Sequence, residues 1–260
     1  MTEAPDQRDY DPPPDDPVAE LVHRVRDAMR ALPAYFASVT AIEGLQATDL
    51  FTLNTVLGAT IEVQVVETLN RIRDVWDPND DWPLHYFPRQ PQTFPDVLLV
   101  HETDDGPDVA LGIELKGWYL LSAEAEPSFR YKVTPAACGP YDLLAVVPWH
   151  LSNVLSGTPR VTAPGLWSAR YAAEHRNWWW QHARTTTLDA SIVAPQGAAP
   201  YQRRQPNSDK PAADSGRNFG RIARTGIMDR WVARQLDVSL AGVTVREWIE
   251  FFRHQQGAPP

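Results

Sequence analysis

Thr93-Phe94-Pro95-Asp96-Val97-Leu98-Leu99-Val100 and Val109-Ala110-Leu111-Gly112-Ile113-Glu114-Leu115-Lys116 decide how this chain is read. Both are apolar runs of strand length. The link Glu102-Thr103-Asp104-Asp105-Gly106-Pro107-Asp108 carries the Asp-Gly and Pro chemistry of a hairpin turn. Side chains alternate along a strand, so Glu114 and Lys116 share one face while Leu115 points into a core. Pairing the two runs brings Asp96 beside Glu114. Two carboxylates and an ammonium on one sheet surface suit a divalent metal and a positioned water.

Working outward, Pro17 to Leu32 reads as a helix, with Val18, Leu21, Val22, Val25 and Met29 at helical spacing and Pro33 as its stop. A longer helix is expected from Thr48 or Asp49 to Val75, with Asp49 as its N-cap. Its apolar face holds Leu53, Val56, Leu57, Ile61, Val65 and Leu69. Tyr141 to Val147 is a buried strand ended by Pro148, expected beside the strand that carries Glu114. Val161 marks a further strand. Helical character follows at Ser168–Arg184, a long loop at Ala194–Gly216, and two closing helices at 218–236 and 243–254. The sum is one α/β domain over 17–255, a small mixed central sheet flanked by helices. Its metal-binding core spans about 49–150 and a basic part about 160–255. The first sixteen residues, acidic and interrupted by Pro12-Pro13-Pro14, are expected to be disordered.

Composition removes several classes of function. Hydrophobic residues form 43% of the 260, enough for a substantial core. No uncharged apolar stretch approaches the roughly 18–20 residues of a membrane span, and Met1-Thr2-Glu3-Ala4-Pro5-Asp6 lacks the pattern of a secretory signal. Cys138 is the single cysteine, so no disulfide forms within the chain and a cytoplasmic setting is expected. The net charge of −9 speaks against a nucleic-acid partner until its distribution is considered. Residues 1–16 contribute −5, whereas Arg160 to Arg234 holds twelve basic residues against five acids, a balance of +7. Lysine is scarce: Lys116, Lys132 and Lys210 stand among many arginines, and one of them falls in the motif.

Pro95-Asp96 with Glu114-Leu115-Lys116, both on apolar strands and preceded by an acidic helix, resembles the PD-(D/E)XK nuclease superfamily. The match covers the middle third of the chain. The resemblance implies a restriction-endonuclease-like core and a metal-dependent endonuclease of duplex DNA, in particular a sequence-specific type II restriction enzyme. It implies Asp96, Glu114 and the backbone carbonyl of Leu115 as ligands of Mg²⁺, with Mn²⁺ as an alternative, and Lys116 as the group that orients the attacking water. It also implies a third, helical carboxylate, for which Glu62 is preferred over Glu67 because it flanks Ile61 with Gly58 one turn earlier. Cutting both strands takes two active sites, so a homodimer is expected.

Candidate DNA contacts lie in the basic half. Trp178-Trp179-Trp180 cannot all face one core from a helix, and Trp179 with Arg176 offers stacking and phosphate binding. Arg203, Arg204, Arg217, Asn218 and Arg221 carry groups able to read bases or hold the backbone. Aromatic packing or a dimer contact accounts equally well for the tryptophans. Gln92, Glu102, Asp104, Asp105 and Asp108 read as solvated loop residues, and the histidines as core or surface residues. Two other functions stay open: a non-cleaving nucleic-acid-binding module of the same fold, and a metal-dependent hydrolase of small acidic substrates.

Overall fold

The computed structural model describes residues 3–44, 53–90, 92–202 and 205–255. Strands β1 (Val97–Thr103) and β2 (Gly106–Tyr119) form the expected hairpin around Asp104-Asp105. The register pairs Val97 with Ile113, which sets Asp96 opposite Glu114. It slips by one between Leu99 and Val100: Leu99 faces Leu111, whereas Val100 faces Val109. Ala110 is the extra residue of this β-bulge. A one-residue slip exchanges faces, so Val109 and Pro107, rather than Ala110 and Asp108, lie level with Val100 and Glu102.

Strand β3 (Leu143–Leu151) runs parallel to β2, from Ile113–Leu143 to Tyr119–Trp149. Strands β4 (Pro159–Val161) and β5 (Gly165–Ser168) lie end to end along its other side, both antiparallel to it. The fold is thus mixed α/β around a mixed five-stranded sheet. Pro148 does not end β3 as expected. It falls between the stretch paired with β5 and the stretch paired with β4, where no partner needs the missing N–H. Its carbonyl still accepts the Thr162 N–H at 3.0 Å. Beyond β1, Tyr86 and Arg89 form single antiparallel bridges to Val100 and Val97 and cover that edge.

Helix α1 (Ala19–Tyr35) buries Leu21, Val22, Val25, Ala28, Met29 and Leu32. It passes through Pro33 because the lost N–H lies near the end, and Phe36 N–H still closes the last turn on Leu32. One helix was expected as far as Val75; the chain instead forms α2 (Leu53–Arg71) and the single turn α3 (Arg73–Trp76), broken where Ile72 takes ψ 35° and is buried. The expected N-cap Asp49 lies outside the described residues. Helix α2 packs on β2 where Gly58 meets Gly117, and a Cβ on Gly117 would touch the Gly58 backbone at 3.5 Å.

Ser168 Oγ caps α4 (Ala169–Trp178), which passes into a π-helical turn over Trp179–Ala183. The short pair β6 (Ile192–Val193) and β7 (Lys210–Pro211) ties the base of the expected loop. The helix expected over 218–236 starts later, as α5 (Asp229–Leu236), because Gly220 and Gly226 hold positive φ. The hairpin of β8 (Ser239–Leu240) and β9 (Val243–Thr244) leads into α6 (Val245–Gln255). No described helix is long and apolar enough to cross a membrane.

The acidic amino-terminal segment is placed against the domain where disorder was expected. Residues Gln7–Tyr10 form a 3-10 turn, and Tyr10 donates to Glu174 Oε2 at 2.5 Å. Arg26 pairs with Asp11, and Tyr141 donates to Asp16. Its Asp11 and Asp16 thus find donors on α1 and just before β3, while its Tyr10 donates to an acid of α4.

Candidate active site

The site forms where β1 stops short of β2. Leu115 and Gly117 lie beyond the last residue that β1 pairs, so their N–H groups project from an unpaired edge. Two carboxylates take the missing strand's place. Leu115 N–H donates to Asp96 Oδ2 at 3.0 Å, and Gly117 N–H donates to Glu62 Oε1 at 3.3 Å. A strand residue directs its N–H and C=O to the same side. The Leu115 carbonyl therefore shares that edge with both acids.

Lys116 projects between the acids on the Glu114 face. Its Nζ lies 2.8 Å from Asp96 Oδ2 and 2.8 Å from Glu114 Oε1. Glu114 Oε2 is buried and has no hydrogen-bond partner. Burial, reinforced by Asp96 and opposed by Lys116, pushes the Glu114 carboxyl up to about 7. Burial likewise raises Glu62, with Asp96 adding and Lys116 opposing. For Lys116 burial acts downward, but the charges of Glu114 and Asp96 outweigh it and hold the ammonium above its ordinary value.

Two carboxylates thus flank one ammonium, a third caps the next N–H of the open edge, and one buried oxygen is left over. The donors are all oxygen, the set a hard cation takes. A cation there would reverse the desolvation penalty on Glu114. Among the described residues no three His, Cys, Asp or Glu side chains close on one point. The ammonium fills the space between Asp96 and Glu114 instead, and Glu62 stands two residues along the edge, at Gly117.

Asp96, Glu114, Lys116 and Glu62 all lie at this end of the hairpin edge. Glu67 is exposed and takes no part. Arg176 corrects an expectation: instead of facing DNA it is 1% exposed. Its guanidinium pairs with buried Asp209 at 2.5 Å, donates to the carbonyls of Tyr131 and Val133, and lies over the Phe219 ring. A buried guanidinium is tolerated when paired in this way. Trp180 is buried against Phe219, while Trp178 and Trp179 are half-buried. Arg217 and Asn218 are exposed, Asn218 accepting from Arg224, and Arg221 is half-buried. Arg203 and Arg204 lie outside the described residues. Cys138 is buried against Tyr131, its thiol pushed up to about 12 by desolvation, which fits a structural residue.

Sequence reading missed two features. Arg230 and Arg234, one turn apart and exposed on α5, join Arg30 around a cleft of about 310 Å³. Their i,i+4 spacing was the available signal. The other is Asp142, fully buried at the start of β3, which accepts from Gly112 N–H (2.6 Å), Gly139 N–H (2.7 Å) and Tyr201 OH (2.7 Å). Gly112 is required there: a Cβ would run into the Pro95 ring and come within 2.9 Å of Asp142 Oδ1. Compared with protein-family models, curated proteins and solved structures, the chain matches none.

Proposed function

We propose that the protein is a Mg²⁺-dependent endonuclease of duplex DNA, built on a restriction-like PD-(D/E)XK core of α2, the β1–β2 hairpin and β3. The observation that carries the reading is the group at the hairpin's open edge: Asp96 and Glu62 capping successive N–H groups, Lys116 between two carboxylates, and the orphaned Glu114 Oε2. Asp96, Glu114 and the Leu115 carbonyl would hold the cation. Mg²⁺, or Mn²⁺ in its place, supplies Lewis acidity and neutralises charge on the phosphoryl oxygens. Lys116 holds and orients the attacking water by hydrogen bonding. Glu62 anchors the β2 edge and sets the electrostatic balance around the ammonium. Sequence-specific cutting of both strands, as in a type II restriction enzyme, implies a homodimer acting in the cytoplasm.

The test is cleavage of plasmid and phage DNA, unmodified and modified, with Mg²⁺ present. Discrete fragments from wild type, and at least about a 10²-fold loss in Asp96→Ala and Lys116→Ala, are expected. Equal cutting by all three proteins removes this site from the reaction. Absence of cutting by wild type on every substrate removes the nuclease reading.

A further inference from the structure

We propose that the cavity beside this site accepts one unstacked nucleobase carrying an exocyclic amino group. The nuclease reading supplies the source of that base, while the test below stands apart from it. The cavity measures about 420 Å³, within the range of roughly 300–1,000 Å³ typical of small-ligand sites. It opens on the face of β1 that carries Asp96, since Asp96, Leu98, Val100 and Glu102 alternate onto one side. Pro95, part of its wall, is the residue immediately before the candidate metal ligand.

The chemistry of the wall selects the occupant. Leu98 and Val100 form a buried apolar floor, and Phe94 adds an aromatic ring. Such surfaces accept the faces of a flat ring. Thr93 and Gln202 add a hydroxyl and an amide at the rim. Glu102 is the charged residue among the described lining residues. Apolar and aromatic surfaces beside a carboxylate favour a flat ring with hydrogen-bonding edges. A carboxylate acceptor suits the amino group of cytosine, which presents a donor where uracil and thymine present an acceptor.

The cavity is also built rather than incidental. The β-bulge at Ala110 aims Val109 and Pro107 into it in place of Ala110 and Asp108. Tyr201 forms one wall with φ 60°, a strained backbone for a non-glycine residue, and is held there by its bond to buried Asp142. Gln92, next to Thr93 in the chain, has φ 60° as well. A wall residue held in a strained conformation by a buried carboxylate is the pattern of a preformed site.

The test is ligand-observed NMR of the full chain with 2′-deoxycytidine and 2′-deoxyuridine, which differ in the donor or acceptor at one ring position. Deoxycytidine should bind in the millimolar range expected of a single small ring, about tenfold more tightly than deoxyuridine. Glu102→Ala, on the exposed hairpin, should bring the two within about twofold. Leu98→Phe, which fills the floor, should abolish both signals. Equal binding of the two nucleosides by wild type, a preference unchanged in Glu102→Ala, or no binding by wild type overturns the assignment. Plasmid cleavage measured in parallel separates the two readings. Cutting without nucleoside binding sinks only the pocket, and nucleoside preference without cutting sustains the pocket alone.

Discussion

Glu114 carries the conflict around which the site is arranged. One oxygen is paired with Lys116, the other is buried and unpartnered, and Asp96 stands close enough to raise its pKa. A bound divalent ion would relieve that conflict, so Mg²⁺ should raise the melting temperature of wild type. A cation at a hundredfold excess over its Kd adds about 2.7 kcal/mol. Asp96→Asn and Glu114→Gln should lose most of the shift in thermal denaturation, and equal shifts in all three proteins would place the ion elsewhere. Lys116→Met makes the complementary case. Removing the ammonium leaves two carboxylates facing each other, at a cost of about 1–2 kcal/mol after allowance for partial exposure. Added Mg²⁺ should restore that loss and shift the variant further than wild type.

At the scale of elements, the site depends on how β2 meets β3 and the turn before β1. Gly112 lets Pro95 lie against β2, and Asp142 binds that same residue. Gly112→Ala should therefore cost about 1–3 kcal/mol of stability by overpacking and lower any metal-dependent activity as well; an active variant with an unchanged urea midpoint would contradict the arrangement. Asp142 also gives a pH dependence. Burial raises its carboxyl above the ordinary 3.8, against the donors around it. The folded chain then holds this proton more tightly than the unfolded chain. Its contribution is full below the ordinary value and is lost as pH rises through the folded one. The stability difference between wild type and Asp142→Asn should decline from about pH 4 upward, and a flat difference removes the carboxyl from the account. The hairpin, β3 and the place of the carboxylates on them were legible because continuous apolar runs of strand length and turn chemistry are local signals. Arg176 was not. A basic residue on an amphipathic helix reads alike whether it faces solvent or an acid far along the chain, and here Asp209 decides. The bulge was hidden for a related reason: the apolar run through Ala110 stays unbroken while its register slips.

For the whole molecule, an acidic chain must present a basic face if it is to hold DNA. Burial of Arg176 shifts that burden to exposed arginines, among them Arg230 and Arg234 on α5. Each phosphate contact contributes about one unit to the salt dependence of binding. Anisotropy with a labelled duplex across a KCl series should show the double variant Arg230→Gln, Arg234→Gln with a slope shallower by about two units. An unchanged slope would assign the DNA-facing side elsewhere.

The single surplus residue at Ala110 divides the hairpin into two independently editable halves. On one side of it the pairing that sets Asp96 opposite Glu114 is fixed; on the other, deleting one residue would restore a regular ladder and turn Ala110's neighbours over. Inheritance can then rewrite what the hairpin tip offers a ligand while Asp96 and Glu114 stay where they are.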